Sequence, residues 1–450
     1  MNGTVRRRVV FGLIAAFATV AAACGGGSGG SSDSTPAANT GAGGATAAAA
    51  PASTAASTEP VTLTIDTFGN FGYKDLIAAY TKAHPNVTVK EIQQEYNQHH
   101  QQLAQHLAAG SGAADIVAID EGFIVQFRSQ PQNFVNLIDL GANDIKDRWL
   151  PWKWAQSLSA DGKTQIGLGT DVGGLAMCYR KDLFQQAGLP TDRQQVSALW
   201  PDWQSFISTG EKFQAAAKSG VKWVDSATNM LNPIIAQQPV GYFDSSDQLV
   251  FDSNPGIRSA WDDTMAMISK KESAGLAAFS PEWNAGFKQG KFATVACPAW
   301  MMGYIQDQAP KTSGKWDVAA IPGGGGNWGG SFLAVPKQSK HPKEAYDLAA
   351  YLTSPEQELA VFKEIGNLPS LPSLYTDPAL TSFSNPFFSN APVGTIFSDT
   401  AAQLKPQYLG TKNGPVRQAV ENVVREVEAG SISADDGWNK ASKEAEKAAE

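Results

Sequence analysis

Asp120 and Glu121 are adjacent carboxylates directly after a predicted strand, and they are the side chains of this sequence with the clearest chemical potential. A pair of carboxyl groups can cleave a glycosidic bond when they stand about 5.5 Å apart, or about 6.5 to 9.5 Å apart. Neighbours on a strand point to opposite faces, so these two are not expected to form such a pair by themselves. One of them is expected to face a ligand, and helix N-capping is the alternative role for Asp120.

More polar and aromatic side chains follow the two preceding strands, namely Phe68, Asn70, Phe71, Glu95 and Tyr96. Alternation over 61–66, 87–92 and 115–119 predicts the strands, and apolar spacing over 73–83 and after a cap at Asn97 predicts the helices between them. This order predicts an α/β fold with an open, mainly parallel sheet and a crevice beyond the carboxyl ends of its strands.

The second half of the chain also has helical spacing, over 203–218, 342–352, 355–365 and 416–428. The folded part is long enough for two domains with substantial cores.

Other kinds of chemistry are not indicated. His99 and His106 are seven residues apart, whereas a chelating pair on one helix needs three or four, so these residues and His100 are expected on a solvated helix face. The sequence has no nucleophile elbow, no phosphate-binding loop and no metalloprotease helix motif. We expect no metal, no cofactor and no enzymatic activity.

The N-terminus has the pattern of an exported, lipid-modified protein. Arginines at 6–8 precede an apolar run over 9–20, which is typical of a signal peptide, here spanning 1–23. Cys24 follows three alanines, so it is expected to carry a lipid, and ordinary cleavage with a free cysteine is the alternative. Residues 24–60 are almost wholly Gly, Ser, Ala, Thr and Pro, which predicts a flexible linker.

Two features of composition limit the partners and the covalent structure. The formal net charge of −8 disfavours nucleic acid and anionic membrane surfaces as partners and favours a neutral or polar ligand. Cys178 and Cys297 lie in strand-like runs of an exported chain, which favours a disulfide, with two buried reduced thiols as the alternative.

Several motifs occur in a fixed order along the chain: GTDVGGL at 169–175, YRKDLFQQAGLP at 179–190, GKFAT at 290–294, IPGG at 321–324 and GGS at 329–331. In this order they resemble the solute-binding proteins of ABC importers, the family that includes the maltose- and cellobiose-binding proteins. The resemblance implies a two-lobed, periplasmic-binding-protein-like α/β fold that closes around its ligand by a hinge.

By this resemblance the N-lobe would comprise 61–171 and 323–374, and the C-lobe 172–322 and 375–450. The resemblance also implies a monomer at the extracellular face of the cytoplasmic membrane, held there by its lipid. Its partners would be a di- or oligosaccharide and the transmembrane permease subunits that receive it.

Sugars present apolar faces and rings of hydroxyl groups, so their sites combine aromatic platforms with carboxylates and amides. Trp300 and Trp328 are the expected platforms because the family has aromatic residues at both positions, and a core position is the alternative for each. Asp171 matches a family position whose carboxylate binds sugar hydroxyls. The expected ligand contacts are Phe68, Asn70, Glu95, Asp120, Glu121, Asp171, Tyr242, Trp283, Trp300, Trp328 and Arg417.

Two other classes of function remain open for a tethered, exported chain. One is a secreted glycoside-active enzyme, which would also use carboxylates and aromatic rings. The other is a surface adhesin, for which a tether would serve equally well. The implied hinge favours a ligand-capturing importer component over both.

Overall fold

Strands and helices alternate along the protein in the computed structural model, which describes residues 59–450. The predicted signal peptide, Cys24 and nearly all of the predicted linker lie outside the described residues. Within residues 59–450 the nine strands are β1 Val61–Phe68, β2 Val87–Gln94, β3 Ile116–Asp120, β4 Gly167–Gly169, β5 Leu175–Arg180, β6 Lys222–Val224, β7 Phe292–Pro298, β8 Trp316–Ala319 and β9 Ser331–Ala334.

Most of the remaining described chain is helical. The α-helices are α1 Lys74–Ala83, α2 Tyr96–Ala109, α3 Glu121–Arg128, α4 Pro151–Gln156, α5 Lys181–Gln186, α6 Arg193–Ser197, α7 Trp203–Ala216, α8 Ala227–Ala236, α9 Pro255–Ser269, α10 Pro281–Gln289, α11 Met301–Gln308, α12 Pro342–Leu352, α13 Pro355–Ile365, α14 Pro378–Thr381, α15 Val393–Gln403, α16 Asn413–Glu428 and α17 Ala434–Ala449. Short 3₁₀ helices span Pro131–Asn133, Leu137–Leu140, Ala142–Arg148, Pro310–Thr312, Pro372–Thr376 and Pro386–Phe388.

The strands form two separate sheets, one in each lobe. The first has the order β2-β1-β3-β9-β4 and the second the order β6-β7-β5-β8. Strand β1 pairs in parallel with β2 and β3, as the βαβαβ pattern predicts, whereas β9 is antiparallel to both β3 and β4. Strand β4 therefore runs in the same direction as β1, β2 and β3, so four of the five strands of the first sheet are parallel to one another, as the sequence predicts, and β9 alone runs the opposite way. Strand β9 enters the first sheet from the other lobe, so no helical crossover within the sheet imposes its direction.

The first strands form where their side chains predict them. In β1 the alternate residues Val61, Leu63 and Ile65 are buried, which gives the sheet an apolar face. The cap of α2 is Glu95, whose carboxylate accepts a hydrogen bond from the Gln98 backbone N–H at 3.0 Å. The prediction that Asn97 caps this helix is wrong, because the helix begins one residue before Asn97.

Segments that connect the two sheets lie side by side. Residues 170–174 join β4 to β5 and residues 320–330 join β8 to β9. The Trp328 N–H donates to the Gly173 carbonyl at 2.9 Å, and a Cβ atom at Gly173 would stand 1.9 Å from the Trp328 carbonyl oxygen. Residue 173 must therefore be glycine for these segments to approach so closely. The lobe boundaries inferred from the family resemblance stay a prediction.

Cys178 in β5 and Cys297 in β7 lie diagonally across adjacent antiparallel strands, because Cys178 pairs with Val295 and Cys297 with Ala176. In the structure they are joined by a disulfide, with their Cα atoms 5.4 Å apart, and both residues are fully buried in the second lobe.

Candidate ligand-binding site

A cleft lies where the end of β3, helix α4, the connecting segment at 327–329, helix α8 and the start of α16 converge. Its walls therefore come from both lobes and from the segment between them. The lining residues are Asp120, Glu121, Gly122, Trp152, Gln156, Asn232, Ile235, Ala236, Gly241, Tyr242, Asn327, Trp328, Gly329, Leu404, Lys405, Pro406, Gln407, Leu409, Asn413 and Arg417.

Asp120 and Glu121 both line this cleft, although each is largely buried. Asp120 accepts hydrogen bonds from the Gly122 N–H at 2.8 Å and from the Tyr96 hydroxyl at 2.9 Å, so it caps α3 and also lines the cleft. The expectation that the two carboxylates point to opposite faces is wrong, because β3 ends at Asp120 and Glu121 is already the first residue of α3.

Glu121 is held by the connecting segment. Its carboxylate accepts a hydrogen bond from the Asn327 side-chain N–H at 2.6 Å. The side-chain oxygen Oδ1 of Asn327 in turn accepts a hydrogen bond from the Gly173 N–H at 2.8 Å. Burial raises the pKa of Glu121 to about 7, an effect opposed by Lys153 and increased by Asp120. Near neutral pH this carboxyl group can accept a hydrogen bond from a ligand hydroxyl when ionised and donate one when protonated.

Positive charge in the cleft comes from the exposed Lys405 and from Arg417 on α16. Its guanidinium contacts the Tyr96 hydroxyl at 3.4 Å and Glu421 at 3.7 Å. Burial raises the pKa of Asp120, and Arg417 opposes that rise. The cleft thus combines a carboxylate with a guanidinium, which together offer acceptors and donors to a polar ligand.

Aromatic side chains form the remaining walls. Trp328 and Trp152 are partly exposed to the cleft, and Tyr242 is buried beside them. In the described chain neither the Tyr242 hydroxyl nor the Gln156 side-chain oxygen has a hydrogen-bond partner, although both atoms are buried. Unpaired polar groups beside aromatic faces are what a ligand rich in hydroxyl groups can satisfy.

Trp300 supports this site from behind. It does not line the cleft, but its indole N–H donates to the Trp328 carbonyl at 2.9 Å and the two rings pack edge to face at 5.8 Å. Of the two expected platforms, the structure therefore brings only Trp328 to the cleft. Trp300 is placed one layer behind it.

Trp283 and Asp171 also lie outside the cleft lining. Trp283 is buried in the core, where its indole N–H donates to the Asp225 carboxylate at 2.6 Å. Asp171 is buried and accepts from the Thr170 hydroxyl at 2.6 Å and the Ser331 N–H at 2.9 Å. Both side chains are occupied by protein partners and neither lines this cleft, and direct contact of these two residues with a ligand stays a prediction.

The residues that follow the first two strands have structural contacts instead. Phe68 packs edge to face against Phe71 at 5.2 Å and Tyr96 at 5.3 Å. Asn70 accepts from the Gly72 N–H at 2.9 Å, and Glu95 is the α2 cap described above. Phe68, Asn70 and Glu95 therefore do not line the cleft, even though they lie at or just after the ends of β1 and β2, in the same sheet as Asp120.

Two of the three histidines of α2 are not on a solvated face, whereas His106 is partly exposed. His99 and His100 are buried, because the His99 ring bonds the Ala118 carbonyl at 2.7 Å and the His100 ring accepts from the Asp120 N–H at 3.0 Å. That expectation is wrong for both. Within residues 59–450 no group of three or more His, Cys, Asp or Glu side chains is arranged to hold a metal ion.

Several cleft residues were not singled out in the sequence: Trp152, Gln156, Asn232, Asn327 and Gln407. Asn327 alone had a local signal, since a polar residue inside the glycine-rich run 323–330 must be held by its side chain or face a ligand. The others reach the cleft only through tertiary packing.

Two α/β lobes with a cleft of aromatic, carboxylate and amide groups between them define a two-lobed ligand-binding protein. Residues 75–386 match the family described as bacterial extracellular solute-binding proteins. The chain belongs to this family, which confirms both the resemblance and the predicted fold class. The family consists of binding proteins rather than enzymes, as the sequence predicts.

Similar proteins agree with this assignment. The arabinooligosaccharide-binding protein of Bacillus subtilis is 28% identical over 301 residues, covering 63% of this chain and 66% of the relative, so the chain spans just under two thirds of that protein. A crystal structure described as extracellular solute-binding protein family 1 is 43% identical, with a TM-score of 0.77, and covers 87% of this chain and 100% of that one.

A third similar structure contains a bound sugar. It is the ABC transporter associated binding protein from B. animalis subsp. lactis Bl-04 in complex with β-1,6-galactobiose, with a TM-score of 0.74 and 19% identity, covering 86% of this chain and 96% of that one. At this identity the likeness concerns the fold.

In the described part of the present chain, no helix is long and apolar enough to cross a membrane.

Proposed function

We propose that this protein is the substrate-binding component of a carbohydrate ABC importer and captures a di- or oligosaccharide in the cleft between its lobes. The observation that carries the proposal is the juxtaposition in one cleft of Trp328 with Glu121, Arg417 and the unpaired hydroxyl of Tyr242. The ring offers a face to the apolar side of a sugar, and the polar groups offer partners for its hydroxyls.

The names of similar proteins support this ligand class, since one is described as arabinooligosaccharide-binding and another as a complex with β-1,6-galactobiose. A thermal-shift screen of residues 59–450 tests the proposal, with arabinotriose, β-1,6-galactobiose, cellobiose and maltose. A ligand that binds only the folded state raises the melting temperature of the protein by mass action. Chromatography of the same mixtures should recover the sugar unchanged, whereas hydrolysis products would favour a glycoside-active enzyme.

The proposal includes delivery of the captured sugar to the transmembrane permease from the extracellular face of the cytoplasmic membrane. A lipid on Cys24, followed by the linker at 24–60, would keep the binding domain close to that permease. An adhesin would need no permease. Loss of sugar uptake on deletion of the gene would therefore favour the importer.

Changing Cys24→Ala is expected to release the protein from the membrane fraction, because the thiol that directly follows the three alanines and would carry the lipid is then gone. The measurement is partition of the wild type and the variant between detergent and aqueous phases. Replacement of Ser28, four residues further along, is the control and should leave partition unchanged. Membrane retention of Cys24→Ala at the wild-type level would contradict the lipid anchor.

A further inference from the structure

Lys153 on α4 is a fully buried cation next to the cleft. Its ammonium nitrogen has no hydrogen-bond partner within the described residues. Burying an ammonium group in this way is costly unless nearby negative charge compensates it. The burial of this ammonium group therefore has to be explained by the charges near it.

The protein leaves space for this side chain at two glycines. A Cβ atom at Gly169 would stand 2.9 Å from the Lys153 Cγ atom, and one at Gly330 would stand 3.1 Å from its Nζ atom. The ammonium also lies 3.9 Å from the centroid of the Phe332 ring, a cation–π contact. The strands and the connecting segment therefore enclose the lysine on several sides.

The charges of four buried carboxyl groups act on this cation, and these groups are Glu121, Asp171, Asp120 and Glu358. Three of them hold backbone or side-chain donors: two hold residues in or directly after the segment 320–330, and the third holds the chain that follows α13. Glu121 accepts from Asn327, Asp171 accepts from the Ser331 N–H, and Glu358 accepts from the Ser370 N–H at 2.7 Å.

Glu121 is linked to Lys153 through the backbone as well. The Glu121 N–H donates to the Gly330 carbonyl at 2.9 Å, and Gly330 is the residue whose missing side chain makes room for the ammonium. Of the four carboxyl groups, Glu121 and Asp120 line the cleft, and Asp120 has Arg417 as its nearby cation. Lys153 is therefore the cation that compensates the negative charge of Glu121.

We propose that Lys153 is a positioning residue for ligand capture: its buried charge holds the Glu121 carboxylate as a hydrogen-bond acceptor for a ligand hydroxyl. The proposal rests on the proposed function for the ligand itself. Lys153 does not line the cleft, so it acts through Glu121 and through the carboxylates that fix the interlobe segments.

The pH dependence follows from the groups that face Glu121. Burial raises the pKa of Glu121 to about 7, Asp120 on the adjacent strand raises it further, and Lys153 on α4 lowers it. Removal of the lysine charge should raise the pKa of Glu121 by about one unit or more. Ligand affinity should then increase with pH between about 6 and 8 in the wild type, and at higher pH in the variant, because the ionised form is the acceptor.

The first experiment needs no sugar. Carbon NMR of protein labelled at the glutamate carboxyl groups follows the titration of Glu121, whose resonance is the one missing in Glu121→Gln. Lys153→Met should move this titration to higher pH by about one unit or more. Lys363→Met, which removes an exposed lysine from α13, is the matched control and should leave it in place. An unmoved Glu121 titration in folded Lys153→Met would overturn the proposal.

The second experiment measures affinity by calorimetry across pH with arabinotriose and β-1,6-galactobiose. Lys153→Met should weaken binding about fivefold at pH 7 and very little at pH 9, because a rise of about one unit from a pKa of about 7 lowers the ionised fraction of Glu121 at pH 7 from about one half to about one tenth. Equal affinities of wild type and variant at pH 7 would overturn the role in capture. Failure of the wild type to bind any sugar would instead contradict the proposed function, and the NMR titration would still decide the coupling.

Lys153→Met could also leave too much uncompensated negative charge for the chain to fold. The double variant Lys153→Met/Glu121→Gln removes both charges. The proposal then requires that the double variant regains folding, as measured by its thermal transition. An unfolded double variant would contradict the pairing of these two groups.

Discussion

Trp328→Ala is expected to weaken sugar binding by at least about thirtyfold, since loss of an aromatic anchor from the centre of a binding site typically costs about 2 kcal/mol or more. The Trp328 ring is partly exposed to the cleft and packs edge to face against Trp300. The Trp300 indole N–H also donates a hydrogen bond to the backbone carbonyl of Trp328. Because the backbone of residue 328 makes the contacts with Gly173 and Trp300, truncation of the ring should leave the connection between the lobes intact.

Calorimetry with a sugar that stabilises the wild type measures this effect. Trp438→Ala is the matched control, because it removes the same side chain from α17, outside the cleft lining, and should bind with wild-type affinity. Trp300→Ala should have a smaller effect than Trp328→Ala, since Trp300 acts through its neighbour. Wild-type affinity in folded Trp328→Ala would show that the ligand lies elsewhere.

Removal of the Cys178–Cys297 disulfide should produce the largest change in stability. The bond closes a loop with a sequence separation of 119 residues, and the chain-entropy model gives about 5 kcal/mol for a loop of this length. Cys178→Ala/Cys297→Ala should therefore unfold at a much lower denaturant concentration than the wild type. Denaturant unfolding followed by tryptophan fluorescence measures the difference.

Reductant provides the control for this experiment. It should destabilise the wild type towards the double variant and leave the double variant unchanged. Thiol labelling of denatured, unreduced residues 59–450 should find no free thiol, because Cys178 and Cys297 are the only cysteines in that range. Two reactive thiols would contradict the bond.

The elements with strong local signals were predictable from the sequence. Helices α12 and α13 begin at Pro342 and Pro355 and end at Leu352 and Ile365, as predicted, because proline at the first position and a change in apolar spacing mark both ends. The β1, β2 and β3 strands were also predicted to within two residues at each end, since alternation over an apolar face is a local property.

The site was less predictable, since its geometry depends on where elements end and on which lobe they meet. Glu121 faces the cleft because β3 stops one residue earlier, which reverses the expectation from strand alternation. Trp283 in α10 is packed into the core, whereas Trp328 in the glycine-rich connecting segment lines the cleft, and the residue type alone does not separate the two positions. Arg417 was found through the family resemblance, since no local pattern shows that α16 reaches the first lobe.

We expect the cleft to bind one sugar molecule reversibly and without chemical change. Calorimetric titration of residues 59–450 with arabinotriose and β-1,6-galactobiose tests it most directly, followed by chromatography of the recovered sugar. We expect saturable binding of one sugar per chain, loss of most of that affinity in Trp328→Ala, and recovery of the sugar intact. Hydrolysis of the sugar, or binding that Trp328→Ala leaves unchanged, would contradict it.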